Sequence, residues 1–269
     1  MIAIAVDKRD FSGPLSTFGA VKIPEGHQQI EDLENETNLQ TVDITKCKLC
    51  KLETRHAGQA ARLHIEGIST GFISSLGIDF VTALYEAIIQ SETSFGFVTK
   101  NDRVLGFVVF ATNLGKLYKS IILKKGFRFA FILASKMFSL QRIKKVFETL
   151  FYPGRIKKMN LPTAELLSIV VAPEIRRLGL ATQLILRGFK EYQNSKDKVK
   201  VLVAADNKAA NKLYTKCGFE LAGQIDNHGI LSNIYTAETS WDGKSSPTQE
   251  NRQLIIKLDE KPILIPAVA

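Results

Sequence analysis

The stretch best equipped for chemistry is Arg176-Arg177-Leu178-Gly179-Leu180-Ala181-Thr182. Before it lies a short apolar run rich in β-branched residues, Leu166 to Val171, and Pro173 then stops the strand. After it Leu184, Ile185, Phe189 and Tyr192 recur at helical spacing. The order is therefore strand, Gly-containing turn, helix. The first amides of a helix have no intrahelical partner and lie at the positive end of its dipole, so such a turn is a ready anion site. Gly179 and Ala181 keep side chains small where the backbone would touch a phosphate, and Arg176 and Arg177 add positive charge. Each dipole or charge contribution is worth only about 0.3–1 kcal/mol, so several must act together, and a pyrophosphate engages several at once. The same residues also suit an ordinary βα connection with solvated arginines, and the stretch alone does not separate the two.

A second segment does. Asp206-Asn207-Lys208-Ala209-Ala210-Asn211-Lys212-Leu213-Tyr214-Thr215-Lys216-Cys217-Gly218-Phe219 follows the apolar run Val199 to Ala204 and reads as a capped helix ending at Gly218. Together the two segments resemble the GNAT superfamily of acetyl-coenzyme A dependent N-acetyltransferases. The family pattern Gln/Arg-x-x-Gly-x-Gly/Ala is met by Arg176, Gly179 and Ala181. The later pattern Asn-x-x-Ala-x-x-x-Tyr-x-x-x-Gly-Phe is met by Asn207, Ala210, Tyr214, Gly218 and Phe219. The likeness is clear over residues 160–222 and weaker over 46–112.

The resemblance implies an α/β fold with a mixed, largely antiparallel central sheet flanked by helices, and transfer of an acetyl group from acetyl-coenzyme A to a primary amine. It also implies roles for particular residues. Backbone groups of Ile169, Val170 and Val171 would hold the pantetheine arm and thioester carbonyl, where backbone donors can act as an oxyanion site. The turn Arg176, Arg177, Leu178, Gly179, Leu180, Ala181 and Thr182 would hold the pyrophosphate, and Asn207 or Asn211 the cofactor's arm. Tyr214 matches the family tyrosine that protonates the departing thiolate. A phenol of pKa near 10 can do this when held beside the sulfur, and such acid catalysis is worth roughly 10²- to 10⁴-fold. Glu165 stands eleven residues before Arg176, the offset of the base glutamate in histone-acetylating members. Members that acetylate ribosomal proteins carry a glutamate where this chain has Leu202. An exposed strand-end carboxylate without a role is the alternative for Glu165, with an ordered water as base. His64 and Glu66, close together on the first helix, form a second candidate pair.

The elements that must position these residues are readable in outline. A length of 269 residues with 45% hydrophobic content allows a sizeable core. Residues 1–43 form an appended arm, 44–259 the acetyltransferase domain with a basic helical insertion at 113–160, and 260–269 a tail. Within the domain a strand near Lys46–Glu53 precedes a helix near Ala57–Glu66, and a second helix follows Asp79 as N-cap. Phe95–Thr99 and Val104–Ala111 make a hairpin. The insertion reads as helices over Leu114–Leu123, Phe127–Phe138 and Leu140–Phe151, broken at Gly126. After Phe219 come a strand to Ile225, a polar loop from His228 to Asn251 and a closing strand Gln253–Leu258.

Charge and cysteine usage bound the partners. The net charge of +9 resides in one place: between Leu114 and Lys158 stand twelve Lys and Arg against one acid, Glu148. One reading is a lid that draws in anionic acceptors or makes peripheral contact with an anionic membrane; the other is a packed insert with a solvated basic face. Without an RNA- or DNA-binding motif, nucleic acid is disfavoured. The acceptor expected is a small or lipid-linked anionic amine such as a phosphate-bearing amino sugar, in keeping with a looser similarity of Leu63–Ala111 to bacterial GNAT proteins of surface-polysaccharide type. Protein lysine or an N-terminal amine is the alternative acceptor. A module that binds coenzyme A without catalysis and uses its basic insertion on membrane or nucleic acid is the alternative of another class. A homodimer is compatible with these readings. Cys47 and Cys50 form a lone C-x-x-C with no second pair, so no metal is expected, and Cys217 reads as a packed small residue. The opening MIAIAVDKRDFSGP lacks a basic leader and no apolar stretch reaches about 18 residues, so a cytoplasmic protein is expected.

Overall fold

A computed structural model describes residues 47–69, 71–134, 159–192, 198–227 and 229–240. The strands are β1 (Lys48–Lys51), β2 (Ser94–Lys100), β3 (Val104–Ala111), β4 (Ala164–Val171), β5 (Lys198–Ala204), β6 (Glu220–Asn227) and β7 (Ile230–Glu238). The helices are α1 (Ala57–Gly67), α2 (Ile78–Ile89), α3 (Leu114–Ala134), α4 (Leu180–Tyr192) and α5 (Lys208–Lys216). The strands join in the order β1-β2-β3-β4-β5-β7-β6. Every pairing is antiparallel except β4 with β5. This is the mixed, largely antiparallel sheet with flanking helices that the resemblance implied.

The central strands VLGFVVFA and AELLSIVV read as continuous apolar runs because helices cover both faces of the sheet. On one face α1, α2 and α3 bury Ala61, Tyr85, Leu117, Phe107, Leu167 and Leu202. On the other, α4 and α5 bury Leu184, Phe189, Phe110, Leu166, Tyr214 and Phe219. The two cores meet at the end of β4, where Val171 and Leu180 pack against both. Gly188 brings α4 onto the sheet: a Cβ there would lie 2.1 Å from Phe110 Cε2. In β4 the register with β3 slips by one residue, Val109 facing Ser168 and Phe110 facing Leu166, so Leu167 is the extra residue of a bulge.

Three expectations need correction. Asp79 lies in the first turn of α2 rather than capping it; Gly77, at φ 86°, holds the cap position. The break at Gly126 does not occur, and α3 runs through it. A helical glycine costs only about 1 kcal/mol against alanine. Packing on both sides of it, by Leu117 and Ile121 before and by Phe129 against Phe80 at 5.2 Å after, outweighs that cost. Finally, the expected polar loop from His228 contains β7, which lies between β5 and β6. Gly229 at φ 77° turns the β6–β7 hairpin, and Ser232 and Ile234 are fully buried. The arm 1–43, the segment Leu140–Phe151, the closing strand Gln253–Leu258 and the tail 260–269 lie outside the described residues. Among the described residues no helix is long and apolar enough to cross a membrane.

Candidate active site

The parallel pair β4–β5 has only two rungs, Ala164 with Val199 and Glu165 with Lys200. Beyond them β4 continues to Val171 paired with β3 alone, through Val108↔Ile169, Phe107↔Val170 and Gly106↔Val171. The side chains of Ile169 and Val170 are buried, so what this stretch can offer toward the gap is backbone. A strand edge opened in the middle of a sheet leaves amides and carbonyls that need partners. The gap lies between the carboxyl-terminal halves of adjacent parallel strands, at the end of the sheet where ligand crevices form in α/β folds.

Arg176 folds the following turn onto β4 by donating from Nε to the Val171 carbonyl at 3.0 Å. Arg177 and Gly179 are both left-handed, at φ 67° and 79°. Such conformations in close succession turn amides toward one side and make an anion-binding concavity. The first backbone bond of α4 runs from Gln183 N to Gly179 O at 3.1 Å, so the turn's own amides precede the helical ladder. Leu178, Gly179, Leu180, Ala181 and Thr182 are half-buried and Arg177 is exposed. The Cys217 thiol, buried as expected, approaches Thr182 Oγ1 at 3.9 Å and ties this turn to the end of α5.

Helix α5 starts where the Asn207 side chain accepts from Ala210 N at 3.1 Å, and it ends before Gly218 at φ 78°. Asn211 clamps α5 to the sheet. Its Nδ2 donates to the carbonyls of Asn207 at 2.7 Å and Ala204 at 3.0 Å, and its Oδ1 accepts from Asn233 Nδ2 at 2.7 Å and the Tyr235 hydroxyl at 2.9 Å. Asn211, expected with Asn207 as a candidate to reach a cofactor's arm, thus spends its whole amide inside the protein, while Asn207 spends its side-chain oxygen on the cap. Sequence reasoning missed the clamp because Asn233 and Tyr235 stand on β7, which it read as loop. One turn after Asn211, Tyr214 is fully buried against Phe219 and Tyr235, with ring centroids at 5.4 and 6.3 Å. Its hydroxyl has no hydrogen-bond partner. Burial, and then the neighbouring Cys217, push its proton affinity well above that of an ordinary phenol, so the group stays protonated.

Glu165 occupies the last rung before the gap. Its side chain and that of Lys200 are 4% and 2% exposed, with Nζ 3.4 Å from Oε2. Lys200 also donates to the Pro162 carbonyl at 2.6 Å, while Glu165 Oε2 has no hydrogen bond. Burial raises the proton affinity of Glu165 and Lys200 opposes it. Tyr118 of α3 borders this carboxylate, and burial with the nearby charge raises its proton affinity too. The pair His64 and Glu66 is not brought together: His64 is buried and Glu66 exposed. His64 Nδ1 lies 2.7 Å from the Tyr85 hydroxyl, which donates to Ser168 Oγ at 3.1 Å on β4. Burial lowers the His64 pKa to about 4, so its ring is neutral near pH 7. Leu202, where a glutamate would mark another mechanism, lies in the apolar core. Cys47 and Cys50 pack partly buried against that core, and no group of three or more His, Cys, Asp or Glu gathers among the described residues.

A family model described as the acetyltransferase (GNAT) family matches residues 70–219, more than half of the chain. No protein of curated function matches. Similar solved structures include an N-acetyltransferase from Staphylococcus aureus, 19% identical over 72% of this chain and 98% of that one, at TM-score 0.48. A ribosomal-protein alanine N-acetyltransferase from Escherichia coli is 17% identical over 75% and 99%, at TM-score 0.43. A GNAT-family acetyltransferase from Bacillus cereus is 16% identical over 71% and 96%, at TM-score 0.42. By the family model and the motifs it spans, this chain is an acyltransferase belonging to the acetyltransferase (GNAT) family.

Proposed function

We propose that the chain transfers an acetyl group from acetyl-coenzyme A to a primary amine of a small or lipid-linked anionic molecule, such as a phosphate-bearing amino sugar. The domain performing this spans residues 44–259, with 113–160 as its basic insertion. The turn Arg176–Thr182 would hold the pyrophosphate on its amides, and Ile169–Val171 would offer backbone to the pantetheine arm. The bound thioester supplies the acetyl group. Glu165 would take a proton from the acceptor amine, and Tyr214 would give one to the sulfur that leaves. Lys200 offsets part of the burial cost of Glu165 and keeps that carboxylate chargeable. Asn207 and Asn211 then serve by positioning α5, the first as cap and the second as clamp.

The observation that carries this reading is the Tyr214 hydroxyl, sealed and without a partner on the family motif. A bare buried hydroxyl costs about 1–3 kcal/mol, which a phenylalanine would avoid. A proton donor kept bare for the leaving thiolate accounts for that cost, and because the hydroxyl is fully buried it meets the sulfur only when the packing around it opens. For the acceptor, the support is α3, which has five Lys and Arg, no acid, and a second turn that borders Glu165 through Tyr118. The test is calorimetric titration with acetyl-coenzyme A of the intact protein and of an Arg176→Ala, Gly179→Val variant, followed by thiol release with amino sugars. Binding that fails in the variant, and release that needs an anionic amino sugar, are expected. Absence of binding by the intact protein would refute the proposal.

A further inference from the structure

Helix α3 carries apolar residues on two opposite faces. On the inner face Leu114, Leu117 and Ile121 are buried, Phe129 packs on Phe80 of α2, and Arg128 pairs with Glu86. On the outer face Leu123, Phe127 and Phe131, at successive four-residue steps, are 74%, 96% and 82% exposed. Lys116, Lys119 and Lys124, all exposed, border this stripe. Residues three and four apart share a helix face, so the stripe is contiguous, and Lys119 and Lys124 fall on its two sides. An apolar, aromatic strip of this kind is not an ordinary solvent surface.

We propose that the outer face of α3 rests on an anionic phospholipid surface, with Leu123, Phe127 and Phe131 in the acyl boundary and the flanking lysines among the headgroups. Charge selects this occupant. A second copy of the chain docking by the same face would set lysine against lysine across the interface. The chain's own residues 135–158 carry seven Lys and Arg against Glu148 alone, so they too bring like charge. A lipid surface supplies the missing negative charge and accepts the phenylalanines, while long lysine stems let their ammonium groups reach headgroups. Because α2 holds the inner face, α3 would lie flat on the bilayer rather than enter it. The inference stands on side-chain exposure and charge, independently of the transfer chemistry.

The test is flotation of the full chain with vesicles of phosphatidylcholine and of phosphatidylcholine mixed with phosphatidylglycerol, at low and high salt. Partition to the mixed vesicles alone, weakened by salt, is expected. Phe127→Ser with Phe131→Ser should reduce it at least tenfold, and each of Lys119→Glu and Lys124→Glu about fivefold or more. Equal partition to both vesicle types, no flotation, or flotation unchanged in the double phenylalanine variant would each overturn the proposal. So would a double variant whose melting temperature falls by several degrees, which would place residues 135–158 on the stripe, or one that turns a dimer into a monomer on sizing.

Discussion

Tyr214→Phe should separate two quantities that usually fall together. The substitution removes one oxygen from a fully buried site where it makes no hydrogen bond and leaves the ring against Phe219 and Tyr235 unchanged. Relieving an unpartnered buried hydroxyl is worth about 1–3 kcal/mol in favour of the fold. For a domain of this size each kcal/mol moves the melting temperature by about 2–4 °C, so the variant should melt a few degrees higher. Turnover should move the other way. If the hydroxyl donates the proton to the leaving thiolate, its loss lowers kcat by roughly 10²- to 10⁴-fold while leaving acetyl-coenzyme A affinity unchanged. Thermal denaturation, titration calorimetry and thiol release on one preparation measure all three. A variant that keeps its turnover within twofold would remove Tyr214 from the chemistry. One that loses stability would mean that the hydroxyl has a structural partner and is not held bare for the thiolate.

Other expectations are equally direct. Lys200→Met leaves Glu165 buried without its counter-ion and should cost about 3–5 kcal/mol in a urea titration, while the double change with Glu165→Leu should recover much of it. His64 is held neutral in the fold, so its contribution to stability is present above pH 6.5 and lost as pH falls toward about 4. A displacement of that size is worth about 3 kcal/mol, and His64→Gln should flatten the acid limb of the stability profile. Glu165 has the opposite sign: its raised proton affinity stabilises the fold below pH 4.5 and that contribution is lost as pH rises through the raised value, which Glu165→Gln should abolish. Gly188→Ala drives a methyl into the Phe110 ring and should lower the melting temperature by an amount corresponding to about 1–3 kcal/mol.

What the sequence disclosed was local chemistry: the turn at Arg176–Thr182, the Asn207 cap, the Gly218 stop and the long apolar strands all depend on neighbours within a few residues. What it concealed depended on distant ones. Lys200 in KVKVLVA alternates with valines, which invites a solvated lysine, and only the parallel register with β4 reveals Glu165 opposite it. The Asn211 clamp required β7, whose residues Ser232, Asn233 and Thr236 mask an internal strand as a polar loop. Gly126 looked like a helix break because the sequence does not display the packing on α2 that carries α3 past it. In the same way composition does not say which face of a helix is left outside, and only the structure shows Phe127 and Phe131 there.

The early end of the β4–β5 ladder has a consequence for handling and for life in the cell. An unpaired strand edge is a template for pairing with other chains, and proteins blunt such edges with charge, proline or a covering element. Here the stretch Leu166–Val171 that β5 leaves unpaired is uncharged and apolar but for Ser168, only its last carbonyl is taken by Arg176, and it sits inside the sheet. Whatever occupies the gap therefore also acts as a guard against strand addition. If acetyl-coenzyme A fills it as proposed, protein stripped of that ligand should self-associate on warming, and amide hydrogen exchange along Leu166–Val171 should slow when the ligand is restored. Such a chain would owe part of its solubility to its own substrate pool.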